Sequence, residues 1–159
     1  MQFGGRYRIA APRLAVWAAL NDAETLGRAI PGCSHIAWTG PMTLDLAITV
    51  RLGPLSPSFR GGLELSDVVP AKRYTLAGRG KGGLLGLAEG AADIELSDLG
   101  ADTELHFAAR AGASGQIMKL GRALIGNSAQ GVIDGFFVRF GDAMGAGVVP
   151  LETAELPRG

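Results

Sequence analysis

The chain has 159 residues, which is enough for one domain with a substantial apolar core. Its 15 basic and 15 acidic residues cancel and form no run of either sign, so the sequence indicates neither nucleic-acid binding nor an electrostatic membrane patch. The single cysteine, Cys33, excludes an internal disulfide and fits a reducing compartment.

Neither end of the chain carries a targeting signal that composition would reveal. Residues 1–13 lack the apolar core of a signal peptide, and no segment offers about 18 consecutive apolar residues. These features predict a soluble cytoplasmic protein.

A strand followed by two short helices is predicted at the N-terminus. Apolar and polar residues alternate over residues 3–9, which is typical of a strand with one buried face. Pro12 then begins a helix, and Asp22 caps a second short helix that runs to Ile30.

The next part of the chain alternates with period 2 and predicts five or six antiparallel strands. Glycine, proline and aspartate residues separate the alternating segments, as expected for tight turns. The clearest segments cover residues 43–51, 58–65, 74–81, 88–96 and 104–110.

A long helix is predicted over residues 114–144. Its first apolar residues are displaced around the helix from the later ones, so we expect a bend near Gly121 or Gly126. The later apolar residues share one face and comprise Ile125, Ala129, Val132, Ile133, Phe136, Phe140 and Met144.

The order of these elements predicts an α+β fold in which a curved antiparallel sheet wraps around the long C-terminal helix. We expect a single helix-grip domain over residues 1–148 and a polar C-terminal tail over residues 149–159.

Small residues on the inward faces of three consecutive strands raise the question of a cavity. Glycine or alanine occurs at 61, 78, 80, 88, 90 and 92, where a filled core would take larger side chains. Two explanations are open: close approach with sheet curvature, or an apolar ligand cavity. The predicted cavity lining is Leu46, Ile48, Phe59, Leu63, Leu76, Gly78, Gly90, Ala92, Ile94, Phe107, Leu124, Ser128, Val132 and Phe136.

Within that lining, Ser128 is the polar residue. Its hydroxyl would either orient a ligand oxygen or form a hydrogen bond between the helix and the sheet.

No catalytic, metal or cofactor site is predicted. Residues 78–83 match the spacing of a dinucleotide-binding loop, but a strand follows where that motif requires a helix. Cys33 and His35 supply two of the three or four ligands that a zinc site needs, and His106 faces outward by strand parity. Exposed Arg79 and Lys81, near the turn of a hairpin, are candidates for contact with a partner.

Several short motifs together resemble one known family. They are Phe3-x-Gly5-x-Tyr7, residues 16–22, residues 30–33, Gly53-Pro54 and the glycine-rich hairpin of residues 78–92. In this order they are similar to the CoxG family of carbon monoxide dehydrogenase accessory proteins, over roughly residues 1–144. The resemblance implies the START-like helix-grip fold of the SRPBCC superfamily, whose members enclose an apolar cavity between sheet and helix.

The resemblance also implies a function. Family members accompany molybdenum hydroxylases of the carbon monoxide dehydrogenase type and are thought to link them to the cytoplasmic membrane, lipid or quinone. We therefore expect a non-enzymatic accessory protein without a cofactor, with at most peripheral contact at the inner face of the cytoplasmic membrane.

Two other functions stay open. One is a protein-docking adaptor with an incidental cavity. The other is an enzyme like the polyketide cyclases and dehydratases, which would require an ionisable group inside the cavity.

Overall fold

The structure is a computed structural model that describes residues 1–151. Within these residues the α-helices are α1 (Arg13–Leu20), α2 (Ala23–Ala29) and α3 (Arg122–Met144). The strands are β1 (Gln2–Ile9), β2 (Cys33–Gly40), β3 (Thr43–Thr49), β4 (Ser58–Val69), β5 (Arg73–Lys81), β6 (Leu87–Leu99), β7 (Asp102–Ser114) and β8 (Val148–Pro150).

These strands form one antiparallel sheet in the order β2-β3-β4-β5-β6-β7-β1-β8. The sheet is curved and holds the long helix α3, which confirms the predicted α+β helix-grip architecture.

Two strands at the edges of the sheet were not predicted. Strand β2 pairs with β3, but its register shifts between Cys33 and His35 and again between Trp38 and Gly40, so its sequence does not alternate cleanly. Strand β8 pairs with Tyr7–Ile9 of β1, and the Leu151 N–H donates to the Arg6 carbonyl at 2.8 Å. The sheet thus takes in Val149 and Pro150, which the sequence had placed in the tail. The rest of that tail, residues 152–159, lies outside the described residues.

The two short helices begin where the sequence indicates. Helix α1 follows Pro12, and α2 is capped by Asp22 as predicted. The Asp22 carboxylate accepts hydrogen bonds from the Thr25 N–H at 3.2 Å and from the Thr25 hydroxyl at 2.6 Å. This cap satisfies a backbone donor that the first turn of a helix leaves unpaired.

The predicted long helix is divided at Gly121. Residues Gln116–Leu120 form a 3-10 helix, and the α-helix begins only at Arg122. Gly121 has φ 89° and ψ 149°, a conformation that is open to glycine and costly for other residues. Gly121 is one of the two positions at which a bend was predicted. At the other end, Gly145 adopts the left-handed conformation that terminates α3.

The buried face of α3 differs from the predicted one. Its buried residues are Ile125, Phe137, Phe140 and Gly141. Phe137 is roughly 100° around the helix from Phe136 and was not on the predicted face. The chain returns beside α3 to form β8, and a Cβ on Gly141 would lie 3.0 Å from Val148. Because β8 was not predicted, the burial of this side of α3 was not predicted either.

The core consists of two separate clusters of buried residues. The larger includes Ile9, Val16, Leu105 and Phe140 and lies beneath α1 and α2. The smaller lies at the opposite end of the sheet and comprises Leu52, Phe59, Ile117 and Ile125. Among residues 1–151, no helix is both long enough and apolar enough to cross a lipid bilayer.

Candidate ligand-binding site between sheet and helix

Between the two clusters lies a zone of inward-facing apolar residues that join neither of them. In this middle zone Leu46 lies on β3, Ala92 on β6, and Ala129 and Val132 on α3. All four are half-buried rather than buried. Apolar surface that faces the helix and is still accessible marks the middle of the grip as its least tightly filled part.

The inward glycines of β4 and β5 are explained by close packing. The Leu63 side chain lies against Gly78, and a Cβ on Gly82 would lie 2.5 Å from the Phe59 ring. Gly61 lies against the backbone of β5. At these positions the small residue makes room for a neighbour, as the first of the two explanations requires.

Strand β6 differs from β4 and β5 in this respect. A Cβ on Gly90 would find only the Arg110 carbonyl oxygen within 4 Å, at 3.3 Å, and no side chain from β5 or α3. The next inward residue, Ala92, is half-buried and belongs to the middle zone. The part of the inner face that side chains leave uncovered is therefore centred on β6.

The predicted lining residues fall into three groups. Phe59 and Ile48 belong to the smaller core cluster. Those packed in or against the larger cluster are Leu63, Leu76, Ile94, Phe107 and Phe136. Those that belong to neither cluster are Leu46, Gly78, Gly90, Ala92, Leu124, Ser128 and Val132.

A groove of about 460 Å³ opens beside α3 at the edge of the middle zone. On the sheet side it is bordered by Pro31, Gly32 and residues 49–53, and on the helix side by Asn127, Ser128, Gly131 and Val132. Val132 belongs to both the groove and the middle zone. The groove is consequently the candidate entrance to the grip.

Ser128 lies at this entrance and already has a partner. Its hydroxyl donates a hydrogen bond to the Arg51 carbonyl at 2.8 Å. The bond joins α3 to the chain after β3, so Ser128 makes the helix-to-sheet contact that was one of its two predicted roles.

Sequence reasoning missed the turn that forms the other side of the entrance. A Cβ on Gly135 would lie 2.9 Å from the Pro31 ring, so glycine is needed where α3 passes the turn after α2. Gly131 and Gly135, one helical turn apart, are the sequence signal that would have indicated this close approach.

Aromatic rings fill the end of the grip near β1. The Phe137 ring stacks on Tyr7 at a centroid distance of 3.8 Å and on Phe107 at 5.5 Å. Phe136 stacks on Phe140 at 5.4 Å and meets Phe137 edge to face at 5.2 Å. These contacts close one end of the middle zone with a rigid apolar wall.

The charged groups of the described chain lie away from the middle zone. Every Asp, Glu and His side chain in residues 1–151 is exposed, except for the half-buried Asp102 and Glu104. Those two carboxylates form ion pairs with Arg8 and Arg6, each at 2.8 Å.

Two tyrosines are the titratable groups that face the core. Burial raises the pKa of the Tyr74 phenol, and burial followed by the nearby Asp134 carboxylate raises the pKa of Tyr7. Both phenols therefore stay protonated at neutral pH.

The cysteine and histidines do not form a metal site within the described chain. The Cys33 thiol donates weakly to the His35 carbonyl at 3.4 Å, and His106 lies 3.7 Å from Glu95 on the outer face. Across residues 1–151 no group of three or more His, Cys, Asp or Glu side chains could hold a metal ion.

A second groove, of about 890 Å³, lies on the outer face of the sheet. Its floor is formed by small residues such as Gly62 and Ala91, and charged side chains including Arg79 and Glu89 border it. The two predicted docking residues are both exposed but have different neighbours. Arg79 is paired with Glu89 of β6, whereas Lys81 is paired with Arg60 of β4.

Comparison with known structures identifies the fold. A conserved protein from Geobacillus kaustophilus has 20% identity and a TM-score of 0.82 over 94% of this chain and 99% of its own. A protein from Thermus thermophilus has 13% identity and a TM-score of 0.66 over 91% and 97%. The ZhuI aromatase/cyclase from Streptomyces sp. R1128 has 17% identity and a TM-score of 0.60 over 90% and 93%.

Sequence comparison identifies the family. A search of curated proteins finds no match. The family model for the carbon monoxide dehydrogenase component CoxG matches residues 5–145. The resemblance predicted from the short motifs is confirmed, and the chain belongs to the CoxG family of carbon monoxide dehydrogenase proteins, with the START-like helix-grip fold of the SRPBCC superfamily.

Proposed function

We propose that this protein is a non-enzymatic binding module that holds an apolar small molecule, a lipid or a quinone, in the middle zone of the grip. The observation that carries the proposal is the half-buried apolar surface between the two core clusters, formed by residues such as Leu46, Ala92 and Val132. An apolar guest would bury that surface, and each Å² of it contributes about 25 cal/mol. The groove beside Val132 supplies a route from solvent.

The lack of a base facing the core, among the residues that the structure describes, favours binding over catalysis. The Streptomyces neighbour is an aromatase/cyclase, so an enzyme is the natural alternative on this fold. In the described part of this chain, Tyr7 and Tyr74 are the titratable groups that face the core, and their raised pKa values keep them as hydrogen-bond donors. Neither would remove a proton from a substrate at neutral pH.

The family description supports a partner. Membership in the CoxG family suggests that the module serves a molybdenum hydroxylase of the carbon monoxide dehydrogenase type. The outer groove is the surface that we assign to this contact, with Arg79 at its border. Alternating charges around an open groove favour a specific protein partner over a uniformly charged one.

The binding proposal is tested by filling the uncovered inner surface. The change Ala92→Phe should abolish binding of an apolar fluorescent probe, because the new ring occupies the space beside Gly90. Ala108→Phe, on the outer face of β7, is the matched control and should bind the probe like the wild type. Thermal unfolding of both variants establishes that each is folded. Equal probe binding by folded Ala92→Phe would contradict the proposal.

The docking proposal is tested on the outer face. Arg79→Glu should weaken co-purification with the hydroxylase at low salt, whereas Arg73→Glu, at the far end of the same face of β5, should not. If both variants retain the enzyme, the outer groove is not the contact surface. Retained docking by Ala92→Phe would show that docking does not need the interior guest.

A further inference from the structure

Three separate turns meet at the end of the molecule that carries the smaller core cluster. Leu52 of the β3–β4 turn, Leu85 of the β5–β6 turn and Ile117 of the 3-10 helix before α3 pack in or against this cluster. A Cβ on Gly86 would meet the backbone at Ser114 and Gly115, which shows how closely the last two turns approach. The three turns therefore form one continuous surface.

Each of these turns exposes a large apolar side chain. Leu84 is 95% exposed, Met118 is 45% exposed and Leu55 is 40% exposed. Leu84 projects from the three-residue helix Gly83–Leu85 at the tip of the hairpin. A leucine that makes almost no contact with its own protein contributes nothing to the core, so its burial has to come from elsewhere.

The charges at this end have a single sign. The exposed cations here include Arg60, Lys81, Lys119 and Arg122. The segments that build this end, residues 50–60, 81–88 and 111–133, contain no aspartate or glutamate. Arg60 and Lys81 are directly paired across β4 and β5, an arrangement that repels unless an anion lies nearby. We call these four cations, together with Leu55, Leu84 and Met118, the tip surface.

The other end of the sheet has a different character. There Arg8 pairs with Asp102 at 2.8 Å, and Arg13 pairs with Asp98 at 3.0 Å. None of the four tip cations forms such an ion pair within residues 1–151. The zero net charge of the sequence thus conceals a strongly polarised molecule.

We propose that the tip surface docks on the surface of a bilayer that contains anionic lipids, with Leu84 entering the boundary between headgroups and acyl chains. Protruding aliphatic side chains ringed by lysine and arginine match the layered chemistry of such a surface. A protein partner would need a complementary pocket for Leu84, whereas a fluid bilayer needs none.

This docking would also place the entrance of the grip near the membrane. Arg51 and Gly53 border the entrance groove and belong to the same turn as Leu55. An apolar guest could then pass between bilayer and grip without crossing much water. The use of the tip surface for loading rests on the proposed function, but the membrane contact itself does not.

The test is co-sedimentation of the whole protein with vesicles. The wild type should bind vesicles of phosphatidylglycerol and phosphatidylcholine, and should bind pure phosphatidylcholine vesicles much less. Leu84→Asp and Lys81→Glu should each lower the affinity by about fivefold or more, since one cation near an anionic surface contributes about that factor. Added salt should weaken wild-type binding.

Matched controls lie at the other end of the molecule. Leu14 on α1 is 71% exposed, and Lys72 is exposed in the β4–β5 turn. Leu14→Asp and Lys72→Glu should bind vesicles like the wild type. Equal losses in tip and control variants, or no wild-type binding to anionic vesicles, would overturn the proposal. Loss of hydroxylase co-purification in Leu84→Asp, with vesicle binding intact, would reassign the tip surface to a protein and also overturn it.

A probe-binding measurement separates this inference from the proposed function. Leu84→Asp should still bind the apolar probe, because Leu84 takes no part in the interior. If the wild type binds anionic vesicles but no probe, the tip proposal stands and the interior proposal fails. If Leu84→Asp binds the probe but not vesicles, the two sites are distinct, as proposed.

Discussion

At the scale of single residues, Phe137 shows how one position decides the packing of the long helix. It is 6% exposed and contacts Tyr7, Phe107 and Phe136. Phe137→Ala should lower the free energy of unfolding by about 3–5 kcal/mol, as removal of a buried ring does. Phe136→Ala should cost less, because Phe136 is only half-buried. Urea unfolding of both variants checks the difference, and equal losses would contradict the assigned helix face.

Asp22 makes a second prediction at this scale, concerning pH. Hydrogen bonds from Thr25 lower the pKa of the Asp22 carboxyl in the folded protein. A lowered folded pKa means that the charged cap stabilises the protein at neutral pH and that this contribution is lost as the pH falls through the folded pKa. Asp22→Asn keeps an uncharged cap. Its stability deficit against the wild type should therefore shrink as thermal unfolding is repeated at lower pH, and a deficit that does not change with pH would refute this role.

At the scale of elements, the break before α3 depends on one glycine. Gly121 has φ 89°, so Gly121→Ala should destabilise the protein by about 1–3 kcal/mol. Gly131 lies inside α3 with no atom within 4 Å of an added Cβ, so Gly131→Ala should stabilise it by about 1 kcal/mol. Opposite signs are expected in chemical denaturation. The same sign for both would show that α3 does not begin at Arg122.

The elements also show what the sequence could and could not predict. Clean alternation made β1 and β3–β7 predictable, and the proline and aspartate signals located α1 and α2. Strand β2 was missed because two register shifts interrupt its alternation, and β8 because three residues carry no periodic signal. The position of Phe137 followed from β8 and was lost with it.

The candidate site was less predictable than the fold, because small residues do not say what fills the space beside them. Gly78 and Gly90 are paired across adjacent strands and look alike in sequence. Leu63 lies over Gly78, but no side chain lies over Gly90. Only the three-dimensional arrangement of neighbouring side chains separates a closely packed glycine from an open one.

At the scale of the whole molecule, two separate core clusters hold the sheet against α3 and leave apolar surface between them. The cations of the tip surface, scattered along the chain, converge at one end beside the entrance groove. The protein therefore combines an interior suited to an apolar guest with an exterior suited to the place where such guests reside.

The most direct measurement of the interior proposal is native mass spectrometry of freshly purified protein. The wild type and Ala108→Phe should each carry an extra mass that organic solvent releases as a lipid or quinone, and folded Ala92→Phe should not. Bare protein mass for the wild type, or the same bound mass in Ala92→Phe, would contradict the account.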